Sequence, residues 1–221
     1  MEFRLILILA GGCVCCSWLA VENAPGYELS HGRQVLLNRG LQIQTFAYPW
    51  PVEPLNPDVF RATNYTTVFL THPDADVAAS MAPTWGRTAI YDYDTHELVP
   101  GHETLSAAEM EIKDRLVSLT FGDEITTVLT DPTVIPKMAA TFANWNTLYP
   151  NALAYTNQWG RFFTESQLRT FMQTARPDML MFDTSPGDFG NTRELWYRDM
   201  QEYRKVALEG YDGTGNSPLP F

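Results

Sequence analysis

The residues best suited to chemistry form a short run, Gly122-Asp123-Glu124, directly after the β-like stretch Leu116 to Phe121. A carboxylic acid held in a partly desolvated pocket has its pKa raised and becomes a general acid at neutral pH. Cleavage of a glycosidic bond needs such an acid to protonate the leaving oxygen, and a second carboxylate as nucleophile or base. The same two carboxylates could equally be solvated loop charges or the N-cap of a helix. Around them, each near the end of a β-like run, stand Tyr48, Trp50, Asp92, Asn157, Trp159 and Asp183. Aromatic faces stack on sugar C–H groups, and Asn and Asp hold hydroxyls through hydrogen bonds. Any one of these aromatics could instead be core packing, and Asp183 a turn residue before Pro186, so the set carries the expectation. Asp92-Tyr93-Asp94-Thr95-His96, with His102 and Glu103 beyond, offers alternating oxygen and nitrogen ligands for a metal-dependent hydrolase. A surface loop is the simpler reading of that stretch, and no metal or other cofactor is expected. No Gly-x-Ser-x-Gly elbow is present.

Six β-like runs position these residues: 41–48, 66–71, 88–93, 116–121, 152–156 and 179–182. Helical segments separate them. Asn56-Pro57 offers an N-cap with proline at the first helical position. Ser106-Ala107-Ala108-Glu109 and Thr164-Glu165-Ser166-Gln167 are capping boxes, the first opening a helix to about Arg115. Asp131-Pro132 opens a helix with Val134, Met138, Phe142 and Trp145 on one stripe, and the last helix carries Trp196, Met200, Tyr203 and Ala207. Alternation of strand and helix implies parallel strands with right-handed crossovers. An open doubly wound sheet and a (β/α)8 barrel both satisfy it. The lack of Gly-x-Gly-x-x-Gly after the first run weakens dinucleotide binding. Polar and aromatic residues after nearly every run favour the barrel, whose site gathers at the carboxyl ends of its strands. With about six strands, and Gly215 to Phe221 reading as the start of a seventh, the expectation is an incomplete TIM-type barrel over residues 21–221.

The chain has 221 residues, 45% hydrophobic and 19% charged, enough for one domain with a sizeable core. Net charge is −11, and Lys113, Lys137 and Lys205 are its only lysines. That balance argues against nucleic acid and anionic membrane as partners and suits a neutral ligand such as a sugar. Cys13, Cys15 and Cys16 all lie in residues 1–20, where a short polar start precedes an apolar run from Leu5 to Ala20. This segment reads as a secretory signal, with a lipoprotein signal at Leu9-Ala10-Gly11-Gly12-Cys13 or a retained anchor as alternatives. Its removal leaves a secreted domain without cysteine. Asn64-Tyr65-Thr66 is a glycosylation sequon.

The run from Leu116 to Glu124 resembles the strand-four segment of retaining (β/α)8 glycoside hydrolases. More narrowly, the chain is similar to secreted glycosidase-like proteins akin to β-galactosidase and agarase catalytic domains. In those, Gly-Asp-Glu-Pro is followed by a helix, a Tyr-x-Asn strand, and a Pro-Asp strand ending in Asp-x-Tyr-Pro. The counterparts here are Gly122-Asp123-Glu124, Tyr155-Thr156-Asn157, Pro177-Asp178 and Asp183-Thr184-Ser185-Pro186. The resemblance implies that Glu124 is the acid/base, that Asp123 takes the place of a residue binding the sugar 2-hydroxyl, and that Asn157 and Asp183 line the site. Ile125 and Ser185 stand where Pro and Tyr are usual, and the nucleophile Glu after a seventh strand has no counterpart. The expectation is therefore a glycoside hydrolase-like domain, as an inactive fragment of such an enzyme or as a non-catalytic carbohydrate-binding remnant.

Overall fold

A computed structural model describes residues 28–221 apart from 41, 43, 48–55, 73, 82 and 184–192. The expected signal segment, the cysteines, Tyr48 and Trp50 lie outside the described residues. The elements in chain order are α1 (His31–Arg39), β1 (Gln44–Ala47), α2 (Pro57–Ala62), β2 (Thr67–Leu70), α3 (Ala75–Met81) and β3 (Thr84–Ala89). A small hairpin follows, β4 (Tyr91–Asp92) with β5 (Glu97–Leu98), then α4 (Ala107–Met110) and β6 (Leu116–Asp123). The remainder is α5 (Val134–Leu148), β7 (Leu153–Trp159), α6 (Glu165–Ala175), β8 (Met181–Asp183) and α7 (Arg193–Glu209).

The fold is mixed α/β. Its main sheet has six strands, all parallel, in the order β1-β2-β3-β6-β7-β8, and it is curled. Each strand lies beside the next sheet strand in sequence. The reversal of order that defines a doubly wound sheet is absent from these strands.

Register separates the two faces of the sheet. Leu70, Arg87, Leu119 and Ala154 align across β2, β3, β6 and β7, and so do Phe69, Gly86 and Ser118 one residue away. The first row belongs to the face covered by helices. There Val68, Leu70, Trp85, Leu119, Phe121 and Ala154 join Met138, Phe142 and Trp145 of α5 and Leu168 and Phe171 of α6 in one buried cluster. The other face carries Thr67, Thr88, Ser118, Thr120 and Tyr155, all buried, so its interior is largely hydroxylic. α1 closes the amino-terminal end of that face: Val35 packs with Leu153 and Tyr155. Gly32 sits so close to the segment before β8 that a Cβ there would lie 1.9 Å from the Asp178 carbonyl oxygen. Arg39 donates to the carbonyls of Asp114 and Leu116, just before and at the start of β6.

The start signals read from the sequence are present. Asn56 accepts from the Asp58 amide with Pro57 in the first turn. Both capping boxes form, at Ser106–Glu109 and Thr164–Gln167. Four expectations need correction. The expected run 88–93 is two elements: β3 starts earlier, at Thr84, and Tyr91-Asp92 turns away into the hairpin. A charged Arg87 in mid-strand hid the first of these; it is buried because Glu109 meets it at 2.6 Å. The helix after Ser106 ends at Met110, and a 3-10 turn covers Lys113–Arg115. α1 and α3 were not expected. Finally, Gly215 to Phe221 form no strand. Pro218 and Pro220 lack the N–H groups that a ladder needs. The segment instead buries Leu219 under α7, with its amide on the Ala207 carbonyl, and offers the Pro220 carbonyl to the Leu180 amide.

Candidate functional site

The hydroxylic face opens at the carboxyl ends of the strands into a cavity of about 250 Å³. Thr71 and His72 follow β2, Thr88 and Ile90 come from the end of β3, Thr120, Gly122 and Asp123 from β6, and Tyr155 and Asn157 from β7. Tyr91 and Tyr93 of the hairpin supply an aromatic wall, their rings edge-to-face at 4.9 Å.

Two neighbouring residues, Gly122 and Asp123, both face this cavity, which regular strand alternation forbids. The β6–β7 register shifts between Thr120 and Asp123, a bulge that re-aims the chain. Gly122 takes φ +58°, and a Cβ there would lie 2.6 Å from Ile125 Cδ1 and 2.9 Å from Tyr91 Cβ. Only glycine fits both the angle and the space. Glu124 follows at φ +47°, a region rarely adopted by residues with side chains and enriched at functional sites. Its amide donates to the Asn157 carbonyl at 3.0 Å. The Tyr93 hydroxyl donates to the carbonyls of Asp123 and Glu124, at 3.2 Å each. Ile125, where the resemblance has proline, has φ −72°, close to proline's own angle, and its side chain is buried in the core.

Asn157 Nδ2 donates to Asp123 Oδ1 at 2.9 Å. Partial burial pushes the Asp123 carboxyl above the usual range; the Asn157 bond opposes this, and the Asp183 charge adds to it. Glu124 is raised further, from 4.5 to about 7, chiefly by burial, then by the hydrogen bond its protonated carboxyl donates to Asp183 and by the charges of Asp183 and Asp123. A hydrogen bond between two carboxyl groups requires a proton on one of them, so Glu124 is held ready as an acid. Asp183 reaches this point because β8 aligns it with Trp159, and its carbonyl accepts from the Gly160 amide at 2.8 Å.

Of the residues expected from the sequence, Glu124, Asp123, Asn157 and Asp183 are neighbours; Asp123 and Asn157 line the cavity, whereas Glu124 and Asp183 are exposed beside it and do not. Asn157 and Trp159 lie within β7, not past its end. Trp159 is half-buried at the end of that strand and does not line the cavity. Asp92 does not line it either: its carboxylate caps its own turn, accepting from the amides of Asp94 and Thr95. His96 turns away to Asp131, and among the described residues no three His, Cys, Asp or Glu side chains gather as a metal site. Tyr93, Thr71, Thr120 and Tyr155 were not expected at the site. Tyr155 had a signal, as the first residue of Tyr155-Thr156-Asn157, since alternation puts Tyr155 and Asn157 on one face.

Comparison of the chain with protein-family models, with curated proteins and with solved structures gives no match.

Proposed function

We propose that this is a glycoside hydrolase-like domain of the (β/α)8-barrel kind, in which Glu124 protonates the leaving oxygen of a sugar bound in the cavity. The observation that carries the reading is the Glu124 carboxyl, raised to about 7 at the carboxyl end of the fourth strand of the sheet. A general acid works best with a pKa near the operating pH. The sequential parallel order of the strands supports the barrel, in which catalytic groups occupy that end. Asp123 and Asn157 offer hydroxyl partners, and Tyr91 and Tyr93 an apolar wall for the ring. Export directed by residues 1–20 is part of the same proposal.

Asp183 acts by keeping the proton on Glu124, whose carboxyl it raises, and so is not assigned the part of the second carboxylate, which in retaining enzymes stands roughly 5–5.5 Å from the acid with the sugar between them. The contact of Asp183 with Glu124 also favours a second reading, sugar binding without hydrolysis.

A panel of aryl glycosides and oligosaccharides separates the two. Hydrolysis whose activity falls as pH rises through about 7, and which drops on the order of 10²–10⁴-fold in Glu124→Gln, supports the acid role. Hydrolysis that survives the substitution removes Glu124 from it. Binding of an oligosaccharide with no product establishes the second reading.

A further inference from the structure

We propose that the cavity selects by charge: it accepts an uncharged saccharide and excludes the corresponding anionic one, with Asn157 receiving a ring hydroxyl and Asp123 repelling the anion. This rests on the carbohydrate reading above and specifies its substrate class.

Asn157 is only 5% exposed. Its Nδ2 is committed to Asp123, while Oδ1 is buried without a protein partner in a residue that lines the cavity. A buried amide oxygen left unpaired is costly, and a donor on the ligand removes that cost. Thr71 Oγ1, at the end of β2 and three strands away in the sheet, is also buried without a partner and also lines the cavity. Both groups accept from hydroxyls.

Nothing on the described walls neutralises an anion. Asp123 faces the cavity, and no Lys or Arg lines it. Arg87 lies on the opposite face of the sheet, paired with Glu109 at 2.6 Å, and Arg161 meets Asp199 at 3.6 Å. Sites built for uronates or sulfate esters use the bidentate fork of Arg or the charge of Lys. His72 also lines the cavity, and the comparison is made at pH 8.

The test is saturation-transfer NMR titration of the full chain with oligosaccharides of glucose, galactose and mannose and with their uronate counterparts. At least one neutral sugar binds, and its uronate binds about tenfold more weakly or worse, the size of a like-charge penalty at a partly hydrated contact. Raising the salt concentration narrows that gap, as does Asp123→Asn, while Asn157→Asp widens it. The salt series needs no variant, so a substitution that fails to fold leaves the inference testable. A uronate that binds as well as its neutral partner overturns the charge selection alone. Failure of every sugar to bind overturns the carbohydrate reading, and this inference with it.

Discussion

Replacing Glu124 with Gln should make the protein more stable at alkaline pH while leaving it unchanged in acid. The native carboxyl titrates near 7, against 4.5 for an ordinary glutamate. Between those values the folded chain holds a proton that the unfolded chain has released. Stability therefore falls as pH rises through that window. Below about pH 4.5 both states are protonated and the difference vanishes; above about pH 7 both are ionised and the penalty is complete. Its ceiling, from the shift alone, is about 3 kcal/mol. The residue is largely exposed, however, so water tempers both the partial desolvation that leads the shift and the repulsion from Asp183 and Asp123, which leaves about 1 kcal/mol. Glutamine imitates the protonated form and tolerates φ +47° no worse than glutamate, so the backbone contribution cancels. Urea unfolding followed by tryptophan fluorescence at pH 4 and pH 8 measures the effect. The variant and the parent should coincide at pH 4, with the variant about 1 kcal/mol more stable at pH 8. Equal stability at both pH values, or a variant less stable at pH 8, would refute the assignment of Glu124 as a carboxyl whose proton is held by its neighbours.

Three further outcomes follow from contacts outside the cavity. His31 places Nδ1 on Asp178 Oδ1 and Nε2 on the Pro150 carbonyl, each at 2.9 Å, and only an imidazolium can donate from both nitrogens. The Asp178 bond raises its pKa above 6.5, so its contribution is complete below about 6.5 and lost as pH rises through the folded value. His31→Ala should speed hydrogen exchange in α1 at pH 6, equivalent to about 1 kcal/mol, and do much less at pH 9. Glu109 serves its capping box through Oε2 and Arg87 through Oε1, so Glu109→Ala should cost about 3–5 kcal/mol in urea unfolding by stranding a buried guanidinium. Ser106→Ala, which removes only the cap, should cost about 1 kcal/mol.

What the sequence revealed and what it hid divide along a physical line. Local signals were legible: the caps at Asn56, Ser106 and Thr164 depend on residues two or three positions away, and all form as read. So was the stripe of Val134, Met138, Phe142 and Trp145, which is buried as one face of α5. Features set by distant partners were not. Arg87 looks wrong for a strand until Glu109 arrives from α4 to pair with it. α1 has little apolar periodicity and is held largely by polar contacts to the amino-terminal end of the sheet, through His31 and Arg39. At the site, strand ends pointed to Asn157 and Asp183. Nothing local distinguishes Asp92, whose carboxylate serves its own turn, from a ligand-facing aspartate. Tyr93 was hidden in the same way, because its position depends on a hairpin that the sequence presents as a continuation of β3.

The site depends on an irregularity, and that explains why three adjacent residues carry so much of it. In an unbroken β6, Thr120 and Gly122 would face the cavity and Asp123 the helices. The bulge after Thr120 puts Asp123 on the cavity side, level with Asn157, and glycine at 122 makes the bulge affordable against Ile125 and Tyr91. The chain then leaves the sheet at Glu124 with its amide fixed on the Asn157 carbonyl. Its carboxyl thereby comes under the charges of Asp183, two strands away, and of the preceding Asp123. The raised pKa follows from that placement: a partly desolvated acid faces two like charges, and no described base lies against it. Backbone geometry at Gly122, more than the presence of a glutamate, turns this strand end into a candidate acid.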